Sequence, residues 1–385
     1  MNVFRGADDA EGMTAGARIT VMAVLCTMIL AMLPLAGCGS KAADGQETRD
    51  VAVVTDLAGR RVEIDSPVER VVAIGPGALR LVCYVGAAEK VVGIERFEIQ
   101  WDTGRPYMIA HPELLELPVI GQGGPDSTPD PEMLITVDPD VIFAAYLVDT
   151  AKANELQYKT GIPVVVLSYG RLGTFDEEVF ESIDIVGEVT GDSERAGKVA
   201  GYIRGCLDDV EERTADIPEV DKPAVYAGGL GMKGTHGIES TQAEFPPLDA
   251  ANALNVVDET GAGGSVIIDK EKLLHWDPEI IFVDEVGLQM VRDDYAGNPG
   301  LYNALKAVKE GRLYGYLPFN FYATNIDTAL ADTYFMGKAI FPHAFEDVDP
   351  VAKADEIYEF LVGKAVYERM AGDFGGFTEI KLAPD

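Results

Sequence analysis

Cationic side chains are scarce in this sequence. Its 385 residues carry 31 Lys and Arg against 64 Asp and Glu, a net charge of −33, and no basic run relieves the imbalance. A polyanion gains nothing from displacing counterions on DNA or RNA, so nucleic acid is excluded as a partner and cationic or neutral ligands are favoured. The same surplus of acid keeps a chain soluble. Histidine is scarcer still, since His111, His236, His275 and His343 are widely scattered with no His-rich loop. A bare zinc or manganese ion needs several donors from the protein, and this distribution does not offer them. Also missing are Gly-x-Ser-x-Gly, His-Glu-x-x-His and a phosphate-cradling P-loop, which removes the common signatures of an exported enzyme. Glu239 and Ser240 beside His236 can be drawn as a catalytic cluster, but one short loop supplies no defining geometry.

Cysteine is too rare for a disulfide framework. Cys26 falls inside an N-terminal apolar run and Cys38 closes it, which leaves Cys83 and Cys206, each in a helical stretch, as buried free thiols. The apolar run covers residues 19–35, directly after Arg18, and ends in Leu35-Ala36-Gly37-Cys38. A basic start, an apolar centre and a small-residue end make a secretory signal, and Pro34 and Gly37 weaken it as a retained span. Leu-Ala-Gly-Cys resembles a bacterial lipobox, in which Cys38 is lipidated and begins the mature chain. Residues 1–37 are then the signal peptide and 38–50 a lipidated flexible tether. The expected location is the outer face of the cytoplasmic membrane, held by the lipid. Asp8, Asp9 and Glu11 are foreign to a signal's basic start, which leaves Met13 beside Met1 as an alternative initiator.

The body of the chain alternates short apolar strands with helical stretches. Residues 51–64 read as a hairpin around Leu57-Ala58-Gly59, and strands follow at 71–74, 91–94, 141–145 and 164–167. A second series has strands at 224–227, 280–283 and 313–316, with helical segments after Asn325 and Ala354. Short buried strands separated by helices predict an α/β fold of two lobes with mostly parallel sheets. Between the series, residues 193–216 set Ala196, Val199, Ala200, Ile203, Leu207 and Val210 on one face, an amphipathic helix of about six turns. That length suffices to cross the molecule and join the lobes. The expected divisions are an N-terminal lobe at 51–190, a connecting helix at 191–217 and a C-terminal lobe at 218–385. An internal repeat supports them, because Glu132 to Phe143 aligns without a gap on Glu271 to Phe282. Each copy has a Glu-started helical turn, an Asp-Pro break and a buried strand.

The lipobox, the opening hairpin, VERVVAIGPGALRLVCYVGAAEKVVGIE, MLITVDPDVIF, the helical spine and LLHWDPEIIFVDE together resemble the substrate-binding lipoproteins of iron-complex and cobalamin ABC importers. The resemblance runs from Thr55 to the C-terminus. It implies two Rossmann-like lobes facing across a cleft and tied by one rigid helix. It implies capture of a chelated metal, foremost a ferric siderophore or other iron complex, with corrinoid or haem as the alternative. Delivery is to a permease dimer driven by a cytoplasmic ATPase. The protein itself is expected to be a monomer without a tightly bound cofactor.

In doubly wound sheets, ligands meet the loops at the carboxyl ends of strands. Gly75 and Pro76 follow the first such strand, and Glu95 and Arg96 follow the next with Trp101 close behind. In the second lobe a glycine-rich loop at 227–237 carries Met232, Lys233 and His236, and the segment 318–325 brings Tyr322 and Asn325 before a helix. Aromatic walls with a few polar groups suit a bulky chelate or macrocycle. The resemblance adds a role for Glu132 and Glu271, since in such binders a glutamate opening the matching helix of each lobe pairs with permease arginines.

Overall fold

The computed structural model describes residues 50–101, 103–124, 129–145, 149–170, 174–231 and 234–382. Cys38, Met232 and Lys233 lie outside them. The alternating residues around Leu57-Ala58-Gly59 form an antiparallel hairpin, β1 (Asp50–Thr55) and β2 (Arg61–Ser66), with Val54 opposite Val62. Asp56 fixes its turn by accepting the backbone N–H groups of Ala58 at 3.1 Å and Arg60 at 2.9 Å. The same carboxylate accepts the Val166 N–H at 3.1 Å, which ties the hairpin to the first sheet.

That first sheet is wholly parallel and contains β3 (Val71–Ile74), β4 (Val91–Gly93), β5 (Val141–Ala145) and β6 (Val164–Leu167) in the order β4-β3-β5-β6. β3, β5 and β6 are buried throughout, as expected of a sheet covered on both faces. The second sheet contains β7 (Ala224–Gly228), β8 (Ser240–Ala243), β9 (Leu254–Asn255), β10 (Gly264–Ile267), β11 (Ile280–Asp284), β12 (Leu313–Tyr316) and β13 (Thr378–Glu379). Its order is β10-β8-β7-β11-β12-β13, with β9 beside β7. Parallel pairing holds among β7, β9, β11 and β12, whereas β8, β10 and β13 join antiparallel. β8 reads Ser-Thr-Gln-Ala and has no apolar run to announce it. Its hydroxyls are satisfied internally, since Ser240 Oγ donates to the Leu230 carbonyl at 2.8 Å and Thr241 Oγ1 to that of Ala227 at 2.5 Å.

The connecting helix runs from Ser193 to Thr214, 22 residues, or about 33 Å at 1.5 Å per residue. It packs on a helix at Glu177–Thr190, and a Cβ at Gly187 would collide with Ala196 on the facing surface. Near its start Arg195 Nε donates to the Tyr84 carbonyl at 3.1 Å, and near its end Arg213 pairs with Asp347 at 2.7 Å. One apolar core continues from β3 and β5 through this helix to β7, β11 and the helix Ile326–Ile340. Cys83 and Cys206 are buried free thiols.

The internal repeat is a repeat of structure. The helices Pro131–Val137 and Lys270–Trp276 each have seven residues and an Asp N-cap. Asp130 accepts the N–H groups of Glu132 and Met133 at 3.1 and 3.2 Å, and Asp269 accepts that of Glu271 at 2.9 Å. Each helix ends on an Asp in the left-handed region, Asp138 at φ 46° and Asp277 at φ 43°. Proline then blocks further helix and a buried strand begins.

Candidate functional site

The carboxyl ends of β3, β4 and β12 meet at a junction between the two lobes. β3 is followed by Gly75, whose φ of +80° suits glycine and where a Cβ would collide with the Ala145 carbonyl. The backbone is therefore free to bring the Gly75 N–H to Glu95 Oε2 at 3.0 Å. Tyr322, from the loop after β12, donates its hydroxyl to the same oxygen at 2.6 Å and accepts the Gly124 N–H at 2.9 Å. Its ring stacks on Phe97 with centroids 4.3 Å apart. Glu95 is 6% exposed, and burial pushes its carboxyl up to about 7 although both hydrogen bonds favour the charged form.

Beside this contact lies Arg80, fully buried on the helix Ala78–Tyr84. Its Nε donates to Asn325 Oδ1 at 2.9 Å, and Nη1 to the Thr324 carbonyl at 2.6 Å and to Tyr169 Oη at 3.2 Å. Nη2 reaches the carbonyls of Tyr322 at 3.1 Å and Phe321 at 3.2 Å. Asn325 Nδ2 continues the network to the Gly104 carbonyl at 2.9 Å. The loop needs this hold, because Tyr322 and Ala323 stand consecutively at φ 57° and 61°, a conformation that costs non-glycine residues free energy. Under the short helix that carries Phe97, Arg105 pairs with Glu98 at 3.0 Å and Tyr107 donates to the same carboxylate at 2.8 Å.

Of the residues expected from sequence, Gly75, Glu95 and Tyr322 share one hydrogen-bonded cluster, and Asn325 sits in the adjoining Arg80 network. Pro76 is buried. Arg96 and Trp101 are exposed at the two ends of the short helix Arg96–Gln100, and Trp101 is followed closely by Thr103, whose Oγ1 donates to Asp373 at 2.5 Å. His236 is half-buried in the β7–β8 loop, its carbonyl close against Gly287. Replacing Tyr322 by Phe keeps the stack on Phe97 but strips Glu95 of a donor and the Gly124 N–H of its acceptor. Equilibrium denaturation should register a loss of about 1–3 kcal/mol. An unchanged midpoint would mean that the hydroxyl makes no such link.

A second polar group, not anticipated from the sequence, lies at the carboxyl ends of β11 and β12. Asp284 accepts the Val286 N–H at 3.0 Å, Glu285 Oε2 that of Gly376 at 2.8 Å, and Asp332 Oδ1 that of Leu317 at 3.1 Å. Burial pushes Asp284 up to about 7, and burial together with the neighbouring Asp284 pushes Glu285 up to about 8. Asp332 is raised well above the carboxylate range by burial and by both neighbours. Among the described residues Glu285 Oε1, Asp332 Oδ2 and Tyr316 Oη have no hydrogen-bond partner. Glu285 fits there because Gly315 and Gly375 flank it without side chains. It also borders a groove of about 680 Å³ with Leu288, Arg292 and Phe374. No three His, Cys, Asp or Glu side chains among the described residues are gathered to hold a metal ion. No helix among them is long and apolar enough to cross a membrane.

A family model described as periplasmic binding protein matches residues 71–318. An uncharacterized ABC transporter substrate-binding lipoprotein of Bacillus subtilis is 23% identical over 209 residues, 53% of this chain and 62% of that one. A cobalamin-binding protein of Halobacterium salinarum is 24% identical over 229 residues, 59% of this chain and 56% of that one. The match thus spans less than two thirds of each curated relative's length. Among solved structures, a periplasmic solute binding protein from Veillonella parvula superposes with a TM-score of 0.67 at 20% identity, over 84% of this chain and 97% of that one. That likeness is one of fold.

Proposed function

The chain belongs to the periplasmic binding protein family, and from that premise we propose that it is the extracytoplasmic solute-binding protein of an ABC importer. Its cargo is a chelated metal, foremost a ferric siderophore or similar iron complex, which it hands to a permease dimer driven by a cytoplasmic ATPase. The observation that carries this reading is the junction itself, where strand-end loops of both lobes meet at Glu95 and Tyr322. A corrinoid is the second reading, favoured by the cobalamin-binding relative.

In this reading Arg96, Trp101 and Tyr322 touch the ligand with Met232, Lys233 and His236, while Gly75, Pro76, Glu95 and Asn325 shape the loops that present them. Cys38 carries the lipid that holds the protein at the membrane, in keeping with its lipobox and with a relative that is itself a lipoprotein. Glu132 and Glu271 dock the two lobes onto the permease. Several acyl chains anchor firmly where one binds marginally, so a Cys38→Ala protein should leave the membrane fraction. The cargo is tested by purifying the protein from its native host and recording its visible absorption and metal content, since ferric siderophore, haem and corrinoid have distinct bands. A colourless, metal-free protein that also binds none of the three on titration would overturn the reading.

A further inference from the structure

The two copies of the repeat share more than a glutamate. Ile135 and Leu274, three residues after Glu132 and Glu271 and at matching repeat positions, are 49% and 37% exposed, so the same aliphatic exposure recurs beside the glutamate in both copies. Spacing of three sets each beside its glutamate on one helix face. The residue just before each turns inward instead, since Leu134 and Leu273 are fully buried. No cation among the described residues pairs with Glu132 or Glu271, and the two lysines that flank Glu271 are engaged elsewhere, Lys270 by Asp294 at 2.7 Å and Lys272 by Glu259 at 2.6 Å. Neither glutamate is needed as a cap, because Asp130 and Asp269 already take the first-turn N–H groups.

We propose that each lobe docks through a two-part patch, Glu132 with Ile135 and Glu271 with Leu274, and that the aliphatic half supplies the part of permease binding that salt does not weaken. The inference rests on the docking role given above to the two glutamates. A patch built twice on one chain matches a partner that presents one surface twice, and a two-fold permease dimer does so. Each half of that partner must offer a cation for the carboxylate and an apolar recess for the side chain next to it. The two halves of the patch then act on different steps. Exposed charge steers encounter and is screened by salt, whereas an aliphatic group desolvated on contact slows escape.

The test uses the full chain and its cognate permease–ATPase complex in nanodiscs, with association and dissociation rates followed at two salt concentrations. Ile135→Ser with Leu274→Ser should speed dissociation about 10- to 100-fold and leave both association and its salt dependence in place. Glu132→Gln with Glu271→Gln should slow association and flatten its response to salt. All four side chains are exposed, so an unaltered melting curve for each pair confirms that folding is intact. If the glutamate pair weakens binding but the serine pair leaves dissociation unchanged, the inference fails and the docking role stands. If the glutamate pair leaves both rates unchanged, the docking role fails, and the inference with it.

Discussion

Replacing Arg80 by Met is expected to lower the free energy of unfolding by about 3–5 kcal/mol. Methionine fills much of the volume but donates nothing, so the Asn325 amide oxygen and the carbonyls of Phe321, Tyr322 and Thr324 lose the guanidinium that serves them. A buried acceptor left without a donor costs about 1–3 kcal/mol, and water can reach only part of this site. A second loss falls on Asp327, whose carboxyl burial already raises to about 6 while Arg80 pulls it down. Without the guanidinium that carboxyl rises further. Lysine is no remedy, because a compact ammonium cannot reproduce a planar fork that reaches both the side chain and three carbonyls. Urea denaturation measures the loss, and limited proteolysis locates it, since a loop with two consecutive left-handed residues should open first once its clamp is gone. A change below about 1 kcal/mol in both the Met and Lys variants would mean that Arg80 does not hold the lobes' junction.

Arg80 also marks the limit of what could be read from the sequence. Parallel strands such as Val71–Ile74 and Val141–Ala145 are legible because they bury both faces and so must be apolar throughout. The repeat is legible because the left-handed Asp and the following Pro are demanded by local geometry. β8 is not, because its polar side chains are satisfied by carbonyls brought in from β7 and from the loop after it. The site divides in the same way. Glu95 and Tyr322 stand in recognisable strand-end loops, yet their pairing across 227 positions exists only in the fold. A lone Arg in Ala-Leu-Arg-Leu-Val-Cys-Tyr and two Asp residues in a helix buried on nearly all sides are the signals that were available for the missed groups. A charge inside an apolar run points to a buried partner, and the sequence does not say which.

The buried acids of both groups should make the protein more stable at mildly acidic pH than at alkaline pH. Asp284, Glu285 and Glu95, at 5%, 7% and 6% exposure, have folded values raised to about 7, 8 and 7. A carboxyl raised by burial binds its proton more tightly folded than unfolded, so between its unfolded value near 4 and its folded value the native state holds the extra proton. Stability is then greatest below that interval and falls as pH climbs through it, the reverse of the course set by an ion-paired carboxylate. Tenfold tighter proton binding is worth about 1.4 kcal/mol, and for a group like Asp284 alone the climb from pH 5 to 7 crosses about two such factors. From pH 5 to pH 8 the free energy of unfolding should drop by at least about 3 kcal/mol, or roughly 4 °C in melting temperature for a chain of this size. Repulsion among the surface acids has the same sign but is screened by salt, whereas the buried groups are screened much less. Glu285→Gln and Asp332→Asn separate the two, because each keeps an acceptor for its backbone N–H and removes one titration. Their profiles should be visibly flatter than that of the parent protein in high salt. Identical slopes in parent and variants would assign the pH dependence to the surface and leave the buried cluster without a part in it.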